Sequence, residues 1–216
     1  MNCPFKKPRW ARRKDARPQE LLAAALDLVV ERGYAATRLD DVAAQAGVSK
    51  GTLYLYFTNK EELFKAVVRE NVVPILGEAE SIVDNFQGPT SALFHEIAFG
   101  WWEKIGGTKL SGITKLMIAE SSNFPEVAKF YHDEVITRGN AMIGRMLERG
   151  VASGEFRDID IKQSLNVVCA PMIMLMLWKH SFGALDAEAI SPETYLKNFI
   201  DLFLHGVLKP SAAPVS

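Results

Sequence analysis

The sequence predicts an all-α protein: a small three-helix module with a helix-turn-helix, followed by a larger helical bundle. Three observations predict it. Apolar residues return at three- and four-residue intervals through most of the 216 positions, a spacing that places them on one face of a helix. No stretch alternates apolar and polar residues long enough for a half-buried strand, and no Asn-Gly hairpin turn occurs. The periodic segments are also punctuated by helix-start and helix-stop residues: Pro18, Gly33, Gly47, Ser49 and Asn59.

Residues 1–15 lack apolar periodicity and predict a flexible basic arm. Pro18 opens the first helix, where its missing N–H would be unpaired anyway. Leu21, Leu22, Ala25, Leu28 and Val29 form its apolar face, and Gly33 ends it. Thr37-Arg38-Leu39-Asp40 fits the Ser/Thr-x-x-Asp/Glu pattern of a helix start, with Thr37 as the expected cap. Val42, Ala43 and Ala46 line the inner side of that second helix, and Gly47 stops it. Ser49 is the natural N-cap of a third helix reaching about Phe57. Asn59-Lys60-Glu61-Glu62 supplies another cap, with Glu62 placed to reach back. Leu63, Phe64 and Val67 carry a fourth helix, which Pro74 must kink or break. Further helices are predicted over 91–105, 110–121, 126–151, 161–182 and 192–208. The expected division is an arm over 1–15, a DNA-binding module over 16–64 and a helical bundle over 65–216.

Composition narrows the function classes. Cys3 and Cys169 have no metal-ligand spacing, and neither they nor the basic N-terminus, which lacks a following apolar run, point to secretion. A reducing cytoplasm is expected. The longest apolar run, 167–178, is interrupted by Pro171 and closed by Lys179. A membrane span needs about 20 such residues, so a buried helix needing cover on more than one face is expected, and no membrane partner. The net charge of −1 hides an asymmetry: residues 1–70 hold 13 Lys/Arg against 9 Asp/Glu, the rest 12 against 17. In 1–17, Lys6, Lys7, Arg9, Arg12, Arg13, Lys14 and Arg17 face only Asp15, which suits a polyanionic partner at that end.

The segment 37–57 carries the functional reading. With Leu53 and Phe57 inward, the opposite face of the third helix centres on Gly51 and Leu55, flanked by Thr52 and Tyr54. Gly51 lets backbone approach DNA closely. Ser49, Lys50 and Thr52 stand at the helix N-terminus, where free N–H groups suit phosphate. Tyr54 offers a flat ring and a hydroxyl to a base edge, a thymine methyl or the backbone.

The run Gly33-Tyr34, Thr37, Asp41-Val42-Ala43, Ala46-Gly47-Val48-Ser49-Lys50-Gly51-Thr52-Leu53-Tyr54, Tyr56-Phe57 and Asn59-Lys60-Glu61-Glu62-Leu63 resembles the DNA-binding domain of the TetR/AcrR family of bacterial transcriptional regulators. The resemblance covers about residues 18–65; beyond it, only helix content and layout are similar. It implies that Lys50, Gly51 and Tyr54 lie nearest the bases, with Thr52 and Tyr56 on phosphates. Thr37 would meet phosphate from the start of the second helix and Lys60 from the start of the fourth, and the adjacent Arg38 is expected among the DNA-binding residues. Leu55 departs from the family, whose members commonly carry an aromatic or polar residue there, so a contact at Leu55 must be apolar.

Other motifs carry less. Gly47-Val48-Ser49-Lys50-Gly51 matches a G-x-S-x-G nucleophile elbow in form, yet that motif needs a preceding strand, and a helix is predicted here. No enzyme is expected. His95, His132, His180 and His205 have no ligand spacing, so neither metal nor cofactor is expected. Phe94, Trp101, Trp102, Met117, Phe130, Met142 and Met172 form either an effector pocket or plain core; methionines suit both. Adjacent tryptophans point about 100° apart on a helix, so only one can face a given cavity. The helices over 161–182 and 192–208 are too apolar for one chain to cover, which suggests a homodimer through Met174, Leu177, Trp178, Phe199, Phe203 and Val207. The expectation is a homodimeric repressor, cytoplasmic and nucleoid-associated. It would read a near-palindromic operator in double-stranded DNA and be released by a small apolar or aromatic effector.

Overall fold

The structure, a computed structural model, describes residues 17–183, 185 and 190–209; the arm expected over 1–15 lies outside them. Among the described residues there are eleven α-helices and no strand. In order they are α1 (Arg17–Arg32), α2 (Leu39–Gln45), α3 (Lys50–Tyr54), α4 (Lys60–Asn71), α5 (Val73–Asn85), α6 (Thr90–Trp101), α7 (Ser111–Glu120), α8 (Pro125–Tyr131), α9 (Thr137–Ala152), α10 (Ile161–His180) and α11 (Pro192–Val207). The chain clusters into two compact units that divide between Val67 and Val68, inside α4.

In the first unit the periodic face of α1 is buried as its spacing requires, with Leu21, Leu28 and Val29 together with Val42, Leu53, Leu63 and Phe64. Gly33 takes φ 86° and Gly47 φ 66°, left-handed conformations that end α1 and turn the chain between α2 and α3. Pro74 does not sit within α4. The helix ends at Asn71, one turn residue follows, and Pro74 is the second residue of α5. A proline's missing donor costs little in a first turn, so the chain breaks there and starts again.

The second unit packs α5, α6, α9, α10 and α11 around Leu93, Phe94, Met146, Leu147, Phe156, Leu196 and Ile200. Helix α6 lacks a local side-chain cap. Glu155 supplies one from a distance, accepting from the N–H of Thr90 at 2.6 Å and of Ser91 at 3.0 Å, and from the Ser91 hydroxyl at 2.6 Å. Burial alone would raise the Glu155 carboxyl, but these bonds outweigh it and hold the group below its ordinary value. The two helices expected over 91–105 and 126–151 are each interrupted by a π-helical turn, Trp102–Gly106 and His132–Ile136. One extra residue per turn shifts the register of a face, which three-and-four spacing cannot reveal.

Helix α10 has one side covered within its own chain and one side not. Val168, Met172, Leu175 and Met176 are buried, but Val167 is 60% and Met174 53% exposed. Only 22% of the residues in its apolar stretch are buried within this chain, so it is half-buried rather than a core helix. It is the one described helix long and apolar enough to cross a membrane. Here it packs against α7, α9 and α11.

Candidate nucleic-acid interface

The site is built on α2, the Gly47 turn and α3. Ser49 has extended backbone, φ −73° and ψ 152°, and its Oγ accepts from the Thr52 N–H at 3.1 Å. That bond caps one of the unpaired donors of the α3 first turn. The serine is therefore a helix cap following helix α2, which disposes of the nucleophile-elbow pattern. The last turn of α3 tightens: Tyr56 N–H donates to the Leu53 carbonyl at 2.9 Å and Phe57 N–H to the same oxygen at 3.0 Å. The regular helix accordingly ends at Tyr54 rather than near Phe57.

Leu53 is fully buried and holds α3 to the core. Outward stand Gly51, Tyr54, Leu55 and Tyr56, all exposed. A Cβ built on Gly51 would meet nothing nearer than Ser49 Oγ at 3.9 Å, so this side of α3 is open. Lys50 Nζ lies 2.9 Å from Oδ1 and 3.0 Å from Oδ2 of Asp40, and 6.0 Å from the centre of the Tyr54 ring. The hydrogen bond that Lys50 donates to Asp40 raises the Lys50 pKa. Both side chains are exposed, so the pair adds little stability; what it does is aim the ammonium. Asp40 was missed as a site residue in the sequence, since a separation of ten positions from Lys50 gives no local signal.

Two expected phosphate contacts are placed differently. Thr37 does not cap α2: the cap position is Arg38, an exposed residue whose side chain makes no cap bond. Thr37 is 3% exposed as a residue, and its hydroxyl donates to the Gly33 carbonyl at 2.8 Å. A carbonyl at the end of α1 lacks a helical partner, and this hydroxyl supplies one. Its single proton is thus committed inward. Lys60 Nζ donates to the Tyr34 carbonyl at 2.8 Å and the Ala35 carbonyl at 3.2 Å, and sits 4.4 Å from the Tyr34 ring centre. Burial lowers the Lys60 pKa. Asn59 caps α4 through the Glu62 N–H at 2.8 Å, whereas Glu62 pairs with Lys65 instead of reaching back.

In the second unit the seven residues read as either pocket or core do not converge on one cavity. Phe94, Met142 and Met172 belong to the packed core, Phe94 stacking on Phe203 with ring centres 4.8 Å apart. Met117 and Phe130 are buried outside that cluster, Phe130 under the Arg69 guanidinium at 4.9 Å. Trp101 and Trp102 are tilted neighbours, ring centres 6.1 Å apart. Trp102 lines a cleft of about 480 Å³ with Leu175, Trp178 and Lys179, and Trp101 does not.

Of the residues expected between two copies, Phe199 and Val207 are buried in their own chain, and Phe203 is spent on Phe94. The positions 199, 203 and 207 recur every fourth residue and form one face, and the core takes it. Met174 is exposed, Leu177 and Trp178 half-buried. An open groove of about 670 Å³ separates α10 from α11, with Val167, Pro171, Tyr195 and the 74% exposed Leu202 along it.

A family profile described as bacterial regulatory proteins, tetR family, matches residues 21–67. Another, described as tetracyclin repressor-like, C-terminal domain, matches residues 81–191. The chain is 26% identical over 180 residues to the fatty acid metabolism regulator protein of Bacillus subtilis, covering 80% of this chain and 82% of that one. It is 26% identical over 190 residues to the HTH-type transcriptional repressor KstR2 of Mycolicibacterium smegmatis, covering 82% and 86%. The crystal structure of the transcriptional regulator FadR from Bacillus subtilis in complex with stearoyl-CoA has a TM-score of 0.72 at 18% identity, covering 87% of this chain and 98% of that one, a likeness of fold.

Proposed function

The chain belongs to the TetR family of bacterial regulatory proteins, DNA-binding transcription regulators with a helix-turn-helix, and from that premise we propose that it is a homodimeric repressor released from its operator by a small apolar or aromatic effector. The observation that carries the DNA-reading part is α3 itself. It is capped by Ser49, held by the buried Leu53, and open along Gly51 with Lys50 and Tyr54 beside it. Arg38, Ser49, Thr52 and Tyr56 are the proposed phosphate partners around it. Thr37 and Lys60 join them only by sharing or surrendering their present bonds.

Dimerisation is proposed through the uncovered side of α10 and α11. Val167, Met174 and Leu202 supply exposed apolar surface there, and a second copy is the simplest cover. Two reading helices related by a twofold axis favour a near-palindromic operator with half-sites about 34–36 Å apart, or a multiple of that.

Effector release is proposed to act through α4, a single helix that crosses from one unit into the other. Its last turn is tied to the second π-helical turn by Arg69, whose guanidinium donates twice to Glu134 Oε1, at 3.2 and 2.6 Å. An effector that favours one arrangement of that turn shifts the DNA-binding equilibrium only by its differential affinity. Because one relative is named a fatty acid metabolism regulator and one structural neighbour is a complex with stearoyl-CoA, long-chain acyl thioesters are the first candidates we propose to try. The test selects bound duplexes from a random pool, then challenges the complexes with acyl thioesters, free fatty acids, sterols and aromatic acids. Enrichment of an inverted repeat and release by one class supports the reading; no enriched sequence at low ionic strength contradicts it.

A further inference from the structure

Leu55 is 83% exposed, more than any other large apolar side chain described. Its position is fixed, not frayed. Its N–H donates to the Thr52 carbonyl at 3.3 Å, its backbone is helical at φ −71° and ψ −23°, and the next two N–H groups close on Leu53. With Leu53 buried behind it, the helix cannot roll to bring Leu55 inside. Four residues earlier on the same face stands Gly51, with open space where a side chain would be. The outward strip of α3 is therefore bare backbone followed by one branched hydrocarbon, bordered by Tyr54 at 45% and Tyr56 at 40% exposure.

We propose that Leu55 reads the 5-methyl group of a thymine in the major groove and so sets specificity at one base pair of each half-site. The inference rests on the reading of α3 as the groove element. Leucine has no donor or acceptor, so set against a phosphate it would desolvate an anion and return nothing. Among the groups that base pairs present in the major groove, the thymine methyl is the apolar one. Cytosine offers an amino group near the same place and no methyl, so burying Leu55 there favours thymine over cytosine without a hydrogen bond. The strip geometry fits this: Gly51 admits close approach, and one helical turn later the leucine reaches the next step along the groove.

The test uses the full-length chain and the duplex it selects from a random pool, with each thymine replaced in turn by deoxyuridine, which lacks only the methyl. One position per half-site is expected to lose about fourfold in affinity for the unsubstituted protein, the worth of one methyl-sized group. In Leu55→Ala that position is expected to become insensitive, while Tyr54→Ala keeps the sensitivity and changes the selected sequence elsewhere. Leu55→Gln, which keeps the length, is expected to behave as Leu55→Ala does. Equal deoxyuridine sensitivity at every position in Leu55→Ala and the unsubstituted protein overturns the assignment. So does a change in oligomeric state on Leu55→Ala with the thymine pattern intact, which gives the leucine to a protein contact. If Tyr54→Ala and Leu55→Ala both leave the selected sequence unaltered, α3 is not the reading element, and that parent reading fails as well.

Discussion

The Lys60 ammonium stands 2.8 Å from the Tyr34 carbonyl and against the Tyr34 ring, so the start of α4 is fastened to the turn that follows α1. Ring and carbonyl together hold a cation whose charged form burial disfavours. The consequence is mechanical: Lys60 fixes where the helix-turn-helix sits against α4, and the Thr37 hydroxyl closes the same turn from inside. Lys60→Met is expected to lower the stability of the first unit by about 1 kcal/mol, the net worth of a typical hydrogen bond, and to weaken all duplexes alike. Urea unfolding beside DNA titrations at several salt concentrations checks it. A full loss of DNA affinity with unchanged stability and a smaller salt slope would return Lys60 to a purely phosphate role.

At the scale of elements, the junction of α9 with the segment before α10 is tightly built. A Cβ on Gly150 would run into the ring of Phe156, which is fully buried. Phe156 also donates its N–H to the Gly150 carbonyl at 2.8 Å and pairs with Leu208. Gly150→Ala is expected to cost about 1–3 kcal/mol through overpacking, seen as a lower urea midpoint; an unchanged midpoint would mean that Phe156 moves freely. At the end of α10, His180 Nε2 lies 2.6 Å from Ser111 Oγ, whose proton goes to the Thr108 carbonyl at 2.7 Å. Burial first, then Lys179 and Lys115, lower the His180 pKa below 6.5. An unfolded histidine takes up its proton near 6.5, the folded one only at lower pH. Between those values the unfolded chain binds more protons, so stability is full above 6.5 and declines as pH falls toward the folded pKa. Melting curves from pH 7.5 to 5.5 are expected to shift downward, and His180→Gln to flatten the shift; parallel shifts in both would contradict the assignment. Much of this scale was legible in the sequence where the cause is local. The Ser49 and Asn59 caps, the Gly33 and Gly47 turns and the buried face of α1 each depend on neighbours within a few residues. The caps from Glu155 to α6, the Asp40–Lys50 pair and the π-helical turns depend on contacts or register shifts that spacing does not encode.

At the scale of the whole molecule, the apolar excess of α10 and α11 was readable as composition, but its direction was not. Periodicity marked Phe199, Phe203 and Val207 as a coherent face without saying whether its own chain or a second copy would cover it. The structure gives that face to the core and leaves Val167, Met174 and Leu202 outside. The choice between pocket and core for the seven aromatic and methionine residues was open in the sequence for a related reason: such side chains pack a core as readily as they line a cavity. The central claim is that two α3 helices, brought together by two chains, read one duplex. The most direct measurement is the stoichiometry and hydroxyl-radical footprint of the complex with a selected duplex. The account predicts two chains per duplex and two mirrored protected patches about 10 base pairs apart, or a multiple of that. A single chain on a single patch, or no complex at low ionic strength, would contradict it.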